Sequence, residues 1–171
     1  MTFYIKKVIL WLINGKLRVL DFEPNKVNVI TGESNTGKTA ILEIIDYCLF
    51  SSSPKISESI INENVLWYGI SIEVNDKNYV IARERVDSSR PSSNYYFSSI
   101  GEIPENPENN NDENSIKALI ETEFSIDNNA SIPFGGSSLK LGSKISLRYF
   151  LPDLSNLTDQ SHQNDRRISS I

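Results

Sequence analysis

The sequence predicts an α/β fold in which a glycine-rich loop joins a strand to a helix and antiparallel strands lie on either side. The first observation is the order of an apolar run at residues 26–30, a glycine-rich motif at 32–39 and a helical pattern over 39–50. The second is a set of apolar runs joined by turn residues, which is typical of antiparallel strands. The 171 residues are enough to bury one core, so we predict a single domain over residues 1–171.

The glycine-rich motif matches G-x-x-x-x-G-K-[ST], the Walker A phosphate-binding pattern. Its residues, together with the one that follows, are Gly32, Glu33, Ser34, Asn35, Thr36, Gly37, Lys38, Thr39 and Ala40. The two glycines let the backbone curl so that its N–H groups surround an anion, and the next helix adds the positive end of its dipole. In this pattern Lys38 reaches the β- and γ-phosphates and the Thr39 hydroxyl binds Mg²⁺. We therefore predict that ATP and Mg²⁺ bind here, with Lys38 also serving catalysis.

The elements that flank the loop follow from local patterns. Residues 3–13 and 17–22 are rich in β-forming side chains, and Asn14-Gly15 between them predicts a hairpin. The helix after the loop has one apolar face, made by Ala40, Ile41, Ile44, Ile45, Cys48 and Leu49. Core packing explains this face fully, so we assign it no chemistry.

The rest of the chain continues with short elements and polar segments. We predict strands at residues 65–74, 79–86, 94–98 and 145–151, and a helix at residues 115–124. Arg83 and Arg85 lie on the second of these strands and are expected to be solvated edge charges. Residues 87–114 are rich in Ser, Asn, Pro and Glu, which predicts a mostly mobile insertion, and residues 153–171 are predicted to be a polar tail.

Composition limits the class of protein. The hydrophobic fraction of 39% and the charged fraction of 23% are ordinary for a globular chain. Residues 101–114 alone carry a charge of −5, equal to the net charge of the whole chain, so the charge balance neither supports nor excludes a nucleic-acid surface elsewhere. No apolar run is long enough to span a membrane, and one cysteine cannot form an internal disulfide. We predict a cytoplasmic protein without a membrane partner.

The order of hairpin, strand, Walker A loop, helix and antiparallel β-lobe resembles the N-terminal half of an ABC-type ATPase head. Within that class it is similar to the SMC/RecF/RecN group. The residues that support this similarity are 27–32, 38–43 and the hairpin pattern of 70–85. This resemblance covers about residues 3–100 and implies a P-loop NTPase of the ABC/SMC-like type. It also implies ATP-dependent dimerisation with a second head, and hydrolysis coupled to DNA or an effector subunit. The sequence of the loop, residues 34–39, is also similar to that of SMC-like ATPases of bacterial defence systems. The two resemblances together imply a role in DNA repair or phage defence.

Two elements of that family are missing from the sequence after the loop. There is no Walker B strand with its acidic pair, and no Leu-Ser-Gly-Gly signature; Phe134-Gly135-Gly136 is better interpreted as a turn. We therefore expect the N-terminal portion of a head, with the C-terminal half on a longer chain or a separate subunit. The resemblance implies a Q-loop glutamine that binds Mg²⁺ and water. Gln160 is a candidate for this catalytic and metal-binding role, Gln163 is another, and an exposed polar tail is the alternative.

Two other functions fit a Walker A motif. A small kinase of a nucleotide or metabolite has this length, although such kinases place the loop on the first strand and need clustered arginines in a lid. A non-catalytic nucleotide-sensing module is the other. Labelled ATP separates them, because acceptor phosphorylation indicates a kinase, phosphate release indicates an ATPase, and binding without turnover indicates a half-site or a sensor. For these residues alone we expect binding without appreciable turnover.

Overall fold

A computed structural model describes residues 2–31, 38–53, 55–56, 61–87, 90–125, 131–134 and 137–140. Within them the strands are β1 (Phe3–Leu12), β2 (Leu17–Asp21), β3 (Val65–Val74), β4 (Lys77–Glu84), β5 (Tyr95–Ser98), β6 (Ser131–Phe134) and β7 (Ser137–Lys140). The helices are α1 (Lys38–Cys48) and α2 (Glu113–Glu123). Strands β1 to β5 form an antiparallel sheet in the order β2-β1-β3-β4-β5, and β6 pairs with β7. The predicted antiparallel β-lobe is thus confirmed.

Both hairpins of the sheet form where turn residues indicated them. Gly15 between β1 and β2 has φ +76°, a conformation that glycine adopts without strain. The turn between β3 and β4 consists of Asn75 and Asp76, with φ of 49° and 64°. Two successive positive φ angles indicate a type I′ turn, whose twist matches that of the flanking strands. Helix α1 also begins and ends close to its predicted bounds.

The main core lies between one face of the sheet and the two helices. The α1 residues Ile44, Ile45, Cys48 and Leu49 pack there, as their spacing predicted. Helix α2 adds Ile116 and Ile120 to the same cluster. The Asp112 carboxylate caps α2 by accepting hydrogen bonds from the backbone N–H groups of Asn114 and Ser115.

The opposite face of the sheet is covered by the chain that follows β5. Ile9, Trp11 and Ala82 form a second small cluster there, against which Ile103 packs. The Trp11 indole Nε1–H donates a hydrogen bond to the Pro104 carbonyl at 2.9 Å. The sheet is therefore packed on both faces near its centre.

Residues 101–111 have specific partners along β5. The Asn110 side chain accepts a hydrogen bond from the Phe97 N–H at 2.8 Å and donates one to the Phe97 carbonyl at 3.0 Å. The Asn109 side chain accepts a hydrogen bond from the Tyr95 N–H at 2.9 Å. Composition predicted a mostly mobile insertion over residues 87–114 and gave no indication of this pairing. Amides can replace a neighbouring strand because each carries both a donor and an acceptor.

The predicted strand at residues 26–30 is wrong, because the structure describes these residues as irregular. The Asn28 side chain instead bonds to the N–H and the carbonyl of Glu23, closing a local loop. A strand needs a hydrogen-bonded neighbour, and no described strand pairs with this segment. The Val27 side chain is 90% exposed as a result.

Two other predicted segments, the strand at residues 145–151 and the polar tail at 153–171, lie outside the described residues. Among the described helices, neither has the length and apolar character needed to cross a membrane.

Candidate functional site

The Walker A motif leads directly into α1. Helix α1 begins at Lys38, and the backbone of this residue is described although its side chain is not. Thr39 is exposed in the first turn, and Ala40 is buried. The preceding motif residues Gly32, Glu33, Ser34, Asn35, Thr36 and Gly37 lie outside the described residues, as do Gln160 and Gln163.

The N-terminal turn of α1 is electrostatically suited to an anion. It contains no acidic side chain, so the positive end of the helix dipole is not neutralised locally. Glu43 lies one turn further on and is half-buried; burial raises the pKa of its carboxyl, and the charge of Lys55 opposes this rise. Within the described part of the chain, no three His, Cys, Asp or Glu side chains are grouped to hold a metal. Of the residues predicted to bind Mg²⁺, Thr39 lies within the described part of the chain.

The C-terminal end of α1 has an unusual backbone conformation. The Ser51 N–H donates to the Asp46 carbonyl at 3.1 Å, which is the outer hydrogen bond of a Schellman motif. Phe50 occupies the left-handed position of that motif, with φ 69°. Glycine is the usual residue at this position because a side chain there costs about 1 kcal/mol. The Phe50 ring is buried, with its centroid 5.8 Å from that of Tyr95.

Arg83 lies directly against this helix end. The prediction of a solvated edge charge is wrong for Arg83, which is only 3% exposed, and holds for Arg85, which is exposed. Arg83 Nη1 donates to the carbonyls of Tyr47 at 3.2 Å and Ser51 at 2.8 Å, and Nε donates to the Ser92 carbonyl at 2.8 Å. The strand alternation was the available signal, because Arg83 shares a face of β4 with buried Ile81.

Aromatic rings and a carboxylate complete the surroundings of the guanidinium group. The Arg83 Cζ lies 4.5 Å from the ring centroid of Tyr47 and 4.8 Å from that of Tyr95. Such distances give favourable cation–π contacts. The Glu113 carboxylate is 3.5 Å from Arg83 Nη2 and accepts a hydrogen bond from the Tyr95 hydroxyl at 2.9 Å. We call the Arg83 side chain and its partners Tyr47, Ser51, Ser92, Tyr95 and Glu113 the arginine cluster.

Burial, hydrogen bonds and charges shift the pKa values of groups in and beside the arginine cluster. Burial alone would raise the pKa of Glu113, but hydrogen bonds from Lys117 and Tyr95, with the charges of Lys117 and Arg83, hold it below the ordinary 4.5. Burial raises the pKa of the Tyr95 phenol, although the Arg83 charge opposes the rise. Burial likewise raises the pKa of the Cys48 thiol, which stays protonated and is no nucleophile. Within the cluster, Arg83 and Glu113 therefore form an ion pair between two charged groups.

Exposed apolar side chains line the part of the chain that leads to the Walker A motif. Val27 is 90% exposed and Val29 is 75% exposed, and every residue of β2 is exposed. We call β2 and residues 26–30 together the open flank; its large apolar members, all exposed, are Leu17, Val19, Leu20, Val27, Val29 and Ile30. Several large apolar side chains exposed over two short segments are typical of chain that another element covers.

A polar depression of about 490 Å³ lies at the opposite end of α1 from the motif. It is lined by Glu84, Arg85, Asp87, Arg90, Pro91, Ser92 and Ser93. The Ser92 N–H donates to the Tyr47 hydroxyl at 3.0 Å, which places the depression beside the last turn of α1. Its lining includes none of the residues predicted to bind phosphate.

Comparison with known proteins identifies the family. A family profile described as "AAA domain" matches residues 9–168, which include the Walker A motif. A curated relative is the "Probable DNA double-strand break repair Rad50 ATPase" of Aquifex aeolicus (strain VF5), 32% identical over 75 residues. That match covers 40% of this chain and 8% of the relative. Because the profile spans most of its length, the chain belongs to the AAA domain family, among its SMC/Rad50-like ATPases.

Proposed function

We propose that this chain binds Mg-ATP through residues 32–39 as the N-terminal portion of an ABC-type ATPase head. The observation that carries the proposal is the Walker A motif at the start of α1, where Thr39 is exposed and no acidic side chain lies in the first turn. Both features suit a multiply charged anion at a helix N-terminus. The family matches support an ATPase in general. The assignment to an ABC-type head is our more specific proposal.

Each residue of the proposed site has a definite task. Lys38 would neutralise the β- and γ-phosphates, and backbone N–H groups between Gly32 and Gly37 would surround them. Thr39 would be a ligand of Mg²⁺, with Gln160 as a further candidate ligand. When bound, Mg²⁺ neutralises charge on the phosphate oxygens.

Hydrolysis by this chain alone is not part of the proposal. It requires a base or a group that positions water in line with the γ-phosphate. The sequence after the loop has no Walker B strand, and Glu43 is half-buried on α1 rather than in the loop. We therefore propose binding without turnover, completed by a C-terminal half of the head and by a second head.

The open flank is our proposed contact with that C-terminal half. It lies where the chain approaches the Walker A motif, and its valines are exposed although the valines of β3 and β4 are buried. Burying an exposed valine or leucine yields about 1.5–3 kcal/mol per side chain. The assembled head would couple ATP binding and hydrolysis to DNA or to an effector subunit, in DNA repair or phage defence. A cytoplasmic location remains a prediction from composition.

Calorimetry with Mg-ATP tests the nucleotide site. Lys38→Ala should leave the fold intact and weaken binding by about 2–4 kcal/mol, because one charged contact to a multiply charged ligand is lost. Lys16→Ala is the control, since Lys16 is an exposed lysine in the turn between β1 and β2. Equal ATP affinity of the wild type and Lys38→Ala would contradict the assignment.

Phosphate release tests the half-site proposal. The chain alone should release phosphate at about the uncatalysed rate, and adding the C-terminal half should restore turnover that Lys38→Ala abolishes. Robust release by the chain alone, lost in Lys38→Ala, would show that a complete site lies within it. Transfer of labelled phosphate to an acceptor would instead indicate a kinase. ATP binding without hydrolysis, even after the C-terminal half is added, would indicate a sensor.

A further inference from the structure

We propose that Arg83 is a positioning residue for the nucleotide site, acting through α1 from its far end. It fixes the C-terminal end of the helix and thereby determines where Lys38 and Thr39 lie. This inference rests on the ATP binding proposed above, and it adds a requirement that the Walker A motif does not reveal.

Helix α1 is held mainly by its C-terminal half. Tyr47, Cys48 and Leu49 near that end are fully buried. Among residues 39–43 only the small Ala40 is buried, whereas Thr39 is exposed and Ile41 is half-buried. A helix of 11 residues is a rod about 16 Å long, so the placement of one end determines the placement of the other. The nucleotide end of α1 therefore depends on how firmly the buried end is fixed.

The buried end depends on the guanidinium group. Phe50 adopts the left-handed conformation that usually requires glycine, and such a conformation persists only where surrounding contacts enforce it. Arg83 enforces it by donating to the carbonyls of Tyr47 and Ser51, on either side of Phe50. Its positive charge also faces the negative end of the helix dipole. Arg83 thus stabilises α1 next to Phe50, where the residue type does not favour the observed backbone conformation.

The same group connects α1 to three other parts of the lobe. Arg83 belongs to β4, its Nε donates to the Ser92 carbonyl, and its Nη2 lies 3.5 Å from the Glu113 carboxylate at the start of α2. The guanidinium group of arginine has five donors on three nitrogens in a fixed planar fork, whereas the ammonium group of lysine has three donors on a single nitrogen. A lysine at this position would retain charge while losing part of the network.

Mg-ATP affinity of the full chain, measured by calorimetry well below the melting temperature, tests the inference. Arg83→Lys should stay folded and raise the dissociation constant about tenfold, as for other mutations that act through a coupled network. Arg85→Lys is the matched control, because Arg85 is exposed two residues further along the chain and should change the constant less than about twofold.

A second control separates positioning from general loss of stability. Val80 is fully buried, and β4 presents it on the face of the sheet opposite Arg83, so Val80→Ala lowers the melting temperature without touching α1. Val80→Ala should bind Mg-ATP like the wild type. If it weakens binding as much as Arg83→Lys does, only stability is involved and the inference fails. Wild-type affinity in Arg83→Lys would also overturn it, with the proposed ATP binding left intact.

Hydrogen exchange gives a readout that does not need ATP. Amides of residues 41–51 should exchange about tenfold faster in Arg83→Lys than in Val80→Ala. If the wild type binds no ATP, the proposed function fails, and unchanged exchange would then refute the fixing of α1 as well. If Arg83→Lys does not fold, Glu113→Gln replaces it: it removes the charge facing Arg83 and should raise the dissociation constant about threefold. Unchanged affinity there would contradict the inference.

Discussion

Apolar side chains of the same type lie in opposite environments in two parts of this lobe. Val74 on β3 is 0% exposed, whereas Val27 ahead of the Walker A motif is 90% exposed. Both faces of the central strands are covered, one by the helices and the other by the chain after β5, but β2 and residues 26–30 form the open flank. The described residues of the lobe therefore hold α1, the helix that follows the Walker A motif, in the main core. The apolar side chains that lead into the Walker A motif stay exposed, and we propose that the C-terminal half of the head covers them.

The largest effect in this comparison should come from Arg83→Met. It leaves the carbonyls of Tyr47, Ser51 and Ser92 without their donor and the Glu113 carboxylate without its cationic partner on β4. Leaving a buried carbonyl without its donor typically costs about 1–3 kcal/mol, and the loss at Glu113 is smaller because Lys117 and Tyr95 still contact its carboxylate. Urea denaturation should show this loss, whereas Arg85→Met should cost less than about 0.5 kcal/mol. Equal costs would mean that the arginine cluster does not stabilise the lobe.

The two valines test the comparison directly. Val74→Ala should cost about 2–3 kcal/mol, because two buried methyl groups are lost and a cavity remains. Val27→Ala should change the stability of the chain by less than about 0.5 kcal/mol, since its side chain is in water. The same measurement in the presence of a C-terminal half should reverse the second result. If Val27→Ala also leaves the stability of the assembled head unchanged, the open flank is not the contact surface.

Asn110→Ala tests whether the polar segment after β5 is held by specific hydrogen bonds or is mobile, as its composition predicted. This substitution removes both hydrogen bonds that the side chain makes with Phe97, at a cost of about 1–2 kcal/mol. Glu108→Ala in the same segment is the control, because Glu108 is exposed and should be neutral within about 0.5 kcal/mol. Thermal unfolding of both variants provides the measurement. If Asn110→Ala is also neutral, the segment behaves as the mobile insertion that its composition predicted.

The smallest effect is expected from pH. The folded-state pKa of Glu113 lies below its ordinary 4.5, so its ionisation contributes stability above that value, which is lost as the pH falls through the folded pKa. The urea midpoint of the wild type should therefore fall more between pH 7 and acid conditions than that of Glu113→Gln. Other carboxylates with lowered pKa values, Asp112 and Glu123, are present in both proteins and cancel in the difference. Parallel pH profiles would contradict a stabilising Glu113 carboxylate.

The sequence by itself determined the local parts of this protein. The hairpin turns at Gly15 and Asn75-Asp76, the strands of the sheet and the apolar face of α1 all follow from turn chemistry and periodicity. Such features are readable because each depends on residues close together in the chain. The Walker A motif is of the same kind, and it indicated the ATPase family that the comparisons then showed.

The tertiary structure alone decided which of these parts have partners. The sequence predicted the same solvated environment for Arg83 and Arg85. In the structure, Arg83 on β4 contacts the end of α1, whereas Arg85 is exposed to solvent. Val27 and Val29 have the residue types of a strand but no neighbouring strand in the described sheet, so they stay irregular. Asn110 belongs to a polar segment and still pairs with Phe97. In each case the outcome depends on a group distant in sequence, because burial and hydrogen bonding are satisfied by whatever the fold brings within reach.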